Sequence, residues 1–495
     1  MRVVLWDTRK LDVSKDFAGG FGIGMYPGRG GLRGRIVRRF FTRDRRPVAL
    51  LLAHLAAIFH RLGHRVEYSE NRVPGDADLV VFCPSLITLH LERKAIARVA
   101  QLNPKARVLI VGSVASVMPE AFDGLGATIV KGEAEQLLWK LDEVLARPGA
   151  SVQLGTIEDL DLLPPPDWSP FSPRRFRIGF DFSRFPTALI QSSRGCTFRC
   201  SYCPNIVLDN SVRFRNPEAV AEEISHGIRH WGFRSFKFRD PVFGLNHDAT
   251  FRLAELIGRL PRKIQFSIET RIDVLRPELV RVLRRVGLSS VTVGIETPDD
   301  ETLRRYHRRP IHDDRQRQFI ATCREMGIRT VAGFMIGFPG DTEQSIRRVV
   351  QYARAVNPTF ANFNIVTPYP GTEFFEQMKD RIVDRDFSHY SMHTPVLKYE
   401  HLTAQQVAHL QAKCFSRFYF RWRYLFDNAH FLWPSLQLLG IGHRRTVASR
   451  AESAHPGVPR PLSGLDLLQQ KGLRQDSPHE RPGTSDQASD RYPAE

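Results

Sequence analysis

Two series of short apolar runs alternate with amphipathic stretches, one on either side of a proline-rich segment. In the first series, residues 2–8 (Arg-Val-Val-Leu-Trp-Asp-Thr) form an apolar run that ends in polar residues, as a buried parallel strand does. Strand-like runs follow at 65–69, 78–83, 107–112 and 127–130. Helical patterns at 47–62, 88–101 and 134–146 separate them, and Gly63 closes the first. This alternation predicts a doubly wound, Rossmann-like α/β domain over residues 1–150. Ligands of such sheets sit beyond the carboxyl ends of the strands. Those ends carry Asp7–Lys10, Pro84–Leu86, Gly112–Ser116 and Gly132–Glu133.

Residues 151–180, with Leu-Pro-Pro-Pro-Asp-Trp-Ser-Pro, read as a linker. The second series predicts strands at 187–193, 235–239, 264–269, 290–295, 329–336 and 360–366. Helices fit at 217–230, 248–259, 276–286, 313–326 and 341–355. Six strands alternating with helices predict a parallel barrel or partial barrel over 181–371, with its active site at the carboxyl ends of the strands. A small helical extension follows at 372–445, built on one helix at 403–426. Residues 446–495 turn to Ser, Pro, Gln and mixed charge, a composition expected to be disordered. There is no internal repeat.

Composition narrows the class. Of 495 residues, 42% are hydrophobic and 25% charged, a globular mixture. The first residues do not resemble a secretory signal, and no apolar run reaches the roughly 20 residues that cross a bilayer. A cytoplasmic protein is therefore expected. The net charge is +18, and much of it is local: Arg29, Arg33, Arg35, Arg38, Arg39, Arg43, Arg45 and Arg46 fall together. Such a field attracts nucleic acid, anionic lipid or phosphorylated substrates, and fits a merely solvated surface equally well. No specific nucleic-acid partner is predicted.

Six cysteines are too sparse for a disulfide framework. Three of them crowd into Cys196-Thr-Phe-Arg-Cys200-Ser-Tyr-Cys203, just after the first barrel strand. A loop there can wrap three thiolates around one [4Fe–4S] cube and leave the fourth iron open. The open iron can chelate the amino and carboxylate groups of S-adenosylmethionine and pass an electron into the sulfonium. A zinc site would want a fourth Cys or His, and none lies near in sequence.

In this motif the chain resembles the radical S-adenosylmethionine (SAM) superfamily, over about residues 185–371. The resemblance implies a partial (β/α)6 barrel with Cys196, Cys200 and Cys203 as cluster ligands. It places Tyr202 beside the adenine. Asp240, in Phe236-Lys-Phe-Arg-Asp240-Pro, stands at the second strand's end where the family more often has Gly-Gly-Glu. Glu269 and Arg271 end the third strand, Gly294 and Glu296 the fourth, and Gly337 the fifth, all as SAM contacts. Glu269, Arg271 and Glu296 would also serve as an ion-pair network in a barrel mouth, and the glycines as turn formers.

The whole layout is similar to the cobalamin-binding branch of that superfamily, whose Rossmann-like domain carries cobalamin on its strand ends. The matching pieces are Asp76-Ala-Asp-Leu-Val-Val-Phe, Val108-Leu-Ile-Val-Gly112, Val130-Lys-Gly-Glu133 and the closing Ile365-Val-Thr-Pro-Tyr-Pro-Gly-Thr372. The resemblance implies cobalamin contacts at Asp7, Lys10, Pro84, Ser85, Leu86, Gly112, Ser113, Gly132 and Glu133. The Asp-x-His-x-x-Gly of methionine-synthase-like domains is missing from Asp7-Thr-Arg9-Lys-Leu-Asp12, so the corrin would have no imidazole below it. A vestigial scaffold is the alternative. The glycine-rich Gly19–Gly28 does not open a helix straight after a strand, as a dinucleotide fingerprint must. It fits a loop over a corrin or substrate, or a plain surface loop. Methylthiolation of RNA would need a second three-cysteine set, and only Cys83 lies in the first domain. Cys83 reads as core, and neither Cys323 nor Cys414 is given a catalytic role.

The branch implies methyl transfer to an unactivated carbon or phosphinate phosphorus, with S-adenosylmethionine serving both to methylate cobalamin and to generate the 5′-deoxyadenosyl radical. Cyclisation or rearrangement with the same parts is the second reading, and a non-catalytic cobalamin sensor or carrier the third. An electron donor such as flavodoxin or ferredoxin is implied. The aromatic and basic segment Phe415–Phe426, with Phe431-Leu-Trp-Pro, fits peripheral contact with membrane lipid or a lipid-like substrate, or simply helix packing. The substrate, small molecule or lipid-like, is not read from the sequence.

Overall fold

Two parallel six-stranded sheets carry the fold in the computed structural model, which describes residues 1–10, 13–41, 46–208 and 210–428. The first contains β1 (Arg2–Asp7), β2 (Arg65–Glu70), β3 (Leu79–Phe82), β4 (Arg107–Ile110), β5 (Thr128–Lys131) and β6 (Ser151–Gln153). Its order is β2-β1-β3-β4-β5-β6, with every neighbouring pair parallel. All four side chains of β3, Leu-Val-Val-Phe, are buried. Helices cover both faces of such a sheet, which is why its strands read as continuous apolar runs. Strand order reverses between β1 and β3, so a crevice opens beyond their carboxyl ends. The stretch expected as linker begins with β6 and then packs tightly. Trp168 is buried against Phe171, Phe176 and, 5.9 Å away, Phe233.

The second sheet runs in chain order: β7 (Thr187–Ile190), β8 (Ser235–Phe238), β9 (Gln265–Thr270), β10 (Leu288–Glu296), β11 (Arg329–Ile336) and β12 (Phe360–Ile365), all parallel. Among the described residues β7 and β12 do not pair, so this is a partial barrel of six strands. Its helices form where local chemistry starts and stops them. At Pro217–Trp231 the Asn216 side chain accepts from the Glu218 amide, Pro217 occupies the first turn, and Gly232 ends the helix at φ +69°.

A buried ion pair fills the floor of the barrel. The Lys237 ammonium on β8 lies 2.9 Å from the Asp181 carboxylate, and both residues are fully buried. Asp181 also accepts from the hydroxyls of Ser290 (2.7 Å) and Ser267 (3.4 Å). Toward the carboxyl ends the interior opens: Thr292, Gly294, Met335 and Asn364 are partly exposed, whereas the intervening Val291, Val293 and Phe334 are buried. Alternate residues of a strand face opposite sides, so the accessible set lines a hollow.

The helix expected at 403–426 is interrupted at Phe420, giving helices Ala404–Tyr419 and Trp422–Asp427. The first is held on β12 by the Gln411 amide, which donates to the Phe363 carbonyl at 2.7 Å. The arginine-rich stretch contains a helix, Gly31–Phe41. The tail 446–495, Phe431–Pro434, Asp12, Arg43 and Arg45 lie outside the described residues.

Removing one partner of a buried pair strands the other charge. Asp181→Ala is expected to lower the stability of the chain by about 3 kcal/mol, read as a fall in the urea midpoint with the circular-dichroism spectrum retained.

Candidate functional site

The three clustered cysteines sit on a loop that the barrel pins from several sides. Asp240, just after β8, accepts from the Ser192 amide (3.1 Å) and from the hydroxyls of Ser192 (2.7 Å) and Ser193 (2.6 Å). Its carboxylate is therefore engaged by the start of this loop. Gly195 follows at φ +82°, and a Cβ there would stand 2.0 Å from the Ser211 carbonyl oxygen, so only glycine fits. The Cys196 amide donates to Asn210 Oδ1 at 3.1 Å and the Cys203 amide to the Cys200 carbonyl at 3.0 Å. The Ser201 amide donates to the Tyr306 carbonyl, and its own carbonyl accepts from the Phe374 amide.

Burial raises the Cys196 thiol above its ordinary pKa and pushes Cys203 up to about 12. These two thiols become thiolates only with positive charge or metal beside them. Arg308 supplies part of that charge, its Nη1 lying 3.9 Å from Cys200 Sγ. Among the described residues no three His, Cys, Asp or Glu side chains converge on a single metal-ion position. A multi-iron cluster needs no such convergence, because each thiolate can bind a different iron.

Around this loop stand most of the residues expected to hold SAM. Glu296 ends β10 at φ +69°, and its Oε1 faces Arg308 Nη2 at 3.5 Å. Burial raises the Glu296 carboxyl despite that guanidinium. Burial likewise opposes the charge on Arg308, but Glu296 and the neighbouring acidic groups outweigh it. Gly294 leaves room for the Glu296 carboxylate, since a Cβ would lie 2.3 Å from Glu296 Oε1 and displace that side chain. Tyr202 is buried, its hydroxyl without a hydrogen-bond partner, and its ring meets Phe338 edge-on at 6.3 Å. Phe338 in turn stacks on Tyr306 at 4.9 Å. Gly337, at φ +76°, begins a turn whose amide donates to Asp341 at 2.7 Å. Arg271 makes a two-pronged bond to Asp273, lies 4.1 Å over the Phe198 ring, and keeps Nη1 buried without a partner. Glu269 is tied to Arg239 (2.6 Å) and Lys237 (3.3 Å). Arg308 escaped sequence analysis because nothing in Tyr306-His-Arg308-Arg-Pro marks it as reaching back to the cysteine loop.

The carboxyl ends of both sheets open onto one cavity of about 240 Å³. Its walls include Cys83, Gly112, Ser113, Gly132 and Glu133 from the first sheet, and Arg194, Gly195 and Arg239 from the barrel. Buried ion pairs close its sides. Glu133 accepts from Arg213 at 2.9 Å and faces Arg194 at 3.2 Å, while Arg194 also holds Glu135 at 2.6 Å. Opposite them, Arg239 holds Asp16 at 2.5 Å and stacks over Phe17 at 4.4 Å. Asp16 also accepts from the Leu50 amide, at the start of helix Leu50–Arg61.

The remaining expected cobalamin contacts do not line this cavity. The glycine-rich segment folds over them, with Phe21 buried, its carbonyl accepting from the Leu86 amide, and Gly22 against Ser85. Asp7 is buried 2.8 Å from Lys15, whose ammonium also pairs with Glu92. Pro84 is buried and Lys10 is exposed. Lys15 and Asp16 were missed because the partners Glu92 and Arg239 lie far along the chain and nothing local marks the contact with Asp7.

Residues 190–353 match the Radical SAM superfamily. The barrel is thus a radical SAM domain. The chain is 28% identical over 308 residues to the anaerobic magnesium-protoporphyrin IX monomethyl ester cyclase of Cereibacter sphaeroides, covering 61% of this chain. It spans about half the length of that relative, 48%. It is 25% identical over 372 residues to the hopanoid C-3 methylase of Methylococcus capsulatus, covering 69% of this chain and 71% of that one. In fold it is similar to the radical SAM methyltransferase TsrM of Kitasatospora setae, solved with cobalamin and a [4Fe–4S] cluster bound. That match has a TM-score of 0.56 at 17% identity and covers 85% of this chain and 82% of the other.

Gly195→Ala is expected to cut the iron content of anaerobically purified protein to a small fraction of the wild-type value. A Cβ in that position displaces the backbone before Cys196, and an iron-to-protein ratio measures the effect.

Proposed function

We propose that this chain is a radical SAM enzyme with cobalamin on its first domain, transferring a methyl group to an unactivated carbon or a phosphinate phosphorus. The observation that carries this reading is the shared cavity. Gly112 and Gly132, at φ +94° and +93°, face it from one sheet, and the cysteine-loop residues Arg194 and Gly195 from the other. A substrate placed there touches both domains at once. When bound, the cluster and S-adenosylmethionine would supply a 5′-deoxyadenosyl radical and cobalamin the methyl group.

The chain's own residues bind and orient. Cys196, Cys200 and Cys203 hold the cluster. Arg308 offsets thiolate charge at Cys200 and fixes Glu296, while Gly294 leaves room for a ligand along β10. Tyr202, Arg271, Glu269 and Gly337 complete the SAM side; Asp240 acts on it only through Ser192 and Ser193. On the cobalamin side Gly112 and Gly132 present backbone without bulk, the Ser113 hydroxyl holds the glycine-rich segment at the Gly19 carbonyl, and Glu133 positions the barrel rather than the corrin. Asp7, Ser85 and Leu86 seat the glycine-rich segment.

The substrate is a small or lipid-like molecule, and the electron comes from a donor such as flavodoxin or ferredoxin. None of the six cysteines is paired in a disulfide, which suits the reducing cytoplasm. A second reading, radical cyclisation without methyl transfer, is favoured by the similarity to the magnesium-protoporphyrin cyclase.

Anaerobic purification from cobalamin-fed cells, with iron, sulfide and corrin quantified beside Cys200→Ala, tests the cofactors. Wild type is expected to carry a four-iron cluster and one corrin per chain, and the variant to lose iron. Iron without corrin removes the methylcobalamin reading; neither, after reconstitution, sinks the radical one. With substrate, S-adenosylhomocysteine together with 5′-deoxyadenosine marks methyl transfer, and 5′-deoxyadenosine alone marks cyclisation.

A further inference from the structure

The arginine-rich stretch near the start of the chain and the aromatic stretch near residue 420 meet on one surface. Helix Gly31–Phe41 lies against helix Ala404–Tyr419, where a Cβ on Gly30 would be 3.6 Å from Ala412. Gly34 and Val37 take its inner side. Leu32 and Ile36, one turn apart, point outward and are 66% and 40% exposed. Arg33, Arg35 and Arg38 are exposed around them.

Helix Trp422–Asp427 repeats the arrangement. Tyr424 is buried at 2% exposure, whereas Trp422 and Phe426, again one turn apart, are 78% and 77% exposed. The Arg33 guanidinium lies 5.3 Å over the ring of Phe420, itself exposed, and joins the two helices. Arg417 and Arg423 add charge on the second side. The one carboxylate of that short helix, Asp427, is taken up by Arg423 at 3.5 Å and by the Asn357 amide at 2.7 Å.

A surface helix ordinarily turns its apolar stripe inward. Single exposed apolar residues need no explanation, but two outward-facing pairs, on helices linked through the Arg33–Phe420 contact and set among arginines, form a patch. Its chemistry is that of a helix lying in a membrane interface: Trp, Phe, Leu and Ile enter the headgroup boundary while Arg meets anionic lipid. Nucleic acid would use the arginines and stack on Trp422, yet would leave Leu32 and Ile36 without a partner. We propose that this face docks the protein on the surface of an anionic lipid bilayer. Among the described residues no helix is long and apolar enough to cross a membrane, so the contact is peripheral. The proposal is independent of the radical reading, because none of these side chains belongs to the cavity or the cysteine loop.

Vesicle flotation of the full-length protein tests it, with phosphatidylcholine vesicles made with and without phosphatidylglycerol. The wild type is expected to float with the anionic vesicles only, and to be released by salt. Arg33→Gln/Arg35→Gln should weaken binding roughly thirtyfold. Trp422→Ser/Phe426→Ser should weaken it by about tenfold or more, and Leu32→Ser/Ile36→Ser should act in the same direction. These side chains are exposed, so unchanged circular dichroism and melting should accompany the losses. No flotation of the wild type, or flotation that the variants leave unchanged, overturns the proposal. So does a dimer in light scattering that Trp422→Ser/Phe426→Ser dissociates, which assigns the face to a second copy. Binding to single-stranded RNA but not to vesicles, lost in the arginine variant, overturns it as well.

Discussion

The arrangement of this protein depends on a seam of buried ion pairs between its two sheets. Arg194 and Arg213 reach from the barrel to Glu133 and Glu135, and Arg239 reaches to Asp16. Charges taken out of water in this way contribute little net stability, since desolvation offsets most of the attraction. What they fix is orientation. A hydrophobic seam would tolerate sliding, whereas each guanidinium here has one carboxylate geometry that satisfies it. The sheets therefore present their carboxyl ends to the same cavity, and the chemistry assigned to each can meet in one substrate.

The barrel extends the same logic inward. Asp181, Lys237, Glu269, Arg239 and Asp16 form a continuous alternation of charge from the barrel floor to the loop of the first domain. Above that floor the open end is lined by Thr292, Gly294, Met335 and Asn364. At that end Asp240 holds the cysteine loop through Ser192 and Ser193, and Arg308 holds it through Cys200. Burial makes thiolates at Cys196 and Cys203 unfavourable there unless positive charge stands beside them.

Both alternating series of strands and helices were legible because a parallel sheet buries both faces and leaves apolar runs that need no partner information. The cysteine spacing was legible for a similar reason, since three ligands on one loop are local by construction. The helix break at Phe420 was not, because the periodicity continues across it. Nor was the fate of Asp7, Ser85 and Leu86. They stand at strand ends, where ligands bind in this class of sheet, but the glycine-rich segment and the Lys15 ammonium occupy them first.

The sequence by itself determined the two sheets, their order along the chain and the three cysteines, because each is encoded by residues close together. The tertiary structure decided which charges meet. Glu133 became a tie to the barrel, Asp240 a support for the cysteine loop, and Arg308 a neighbour of Cys200, through partners 80, 48 and 108 positions away. It also decided that Leu32 and Ile36 should face outward on a helix whose Arg33 covers Phe420. An apolar stripe gives its own direction on a helix but not which side the rest of the protein will cover, and a charge gives its sign but not its partner.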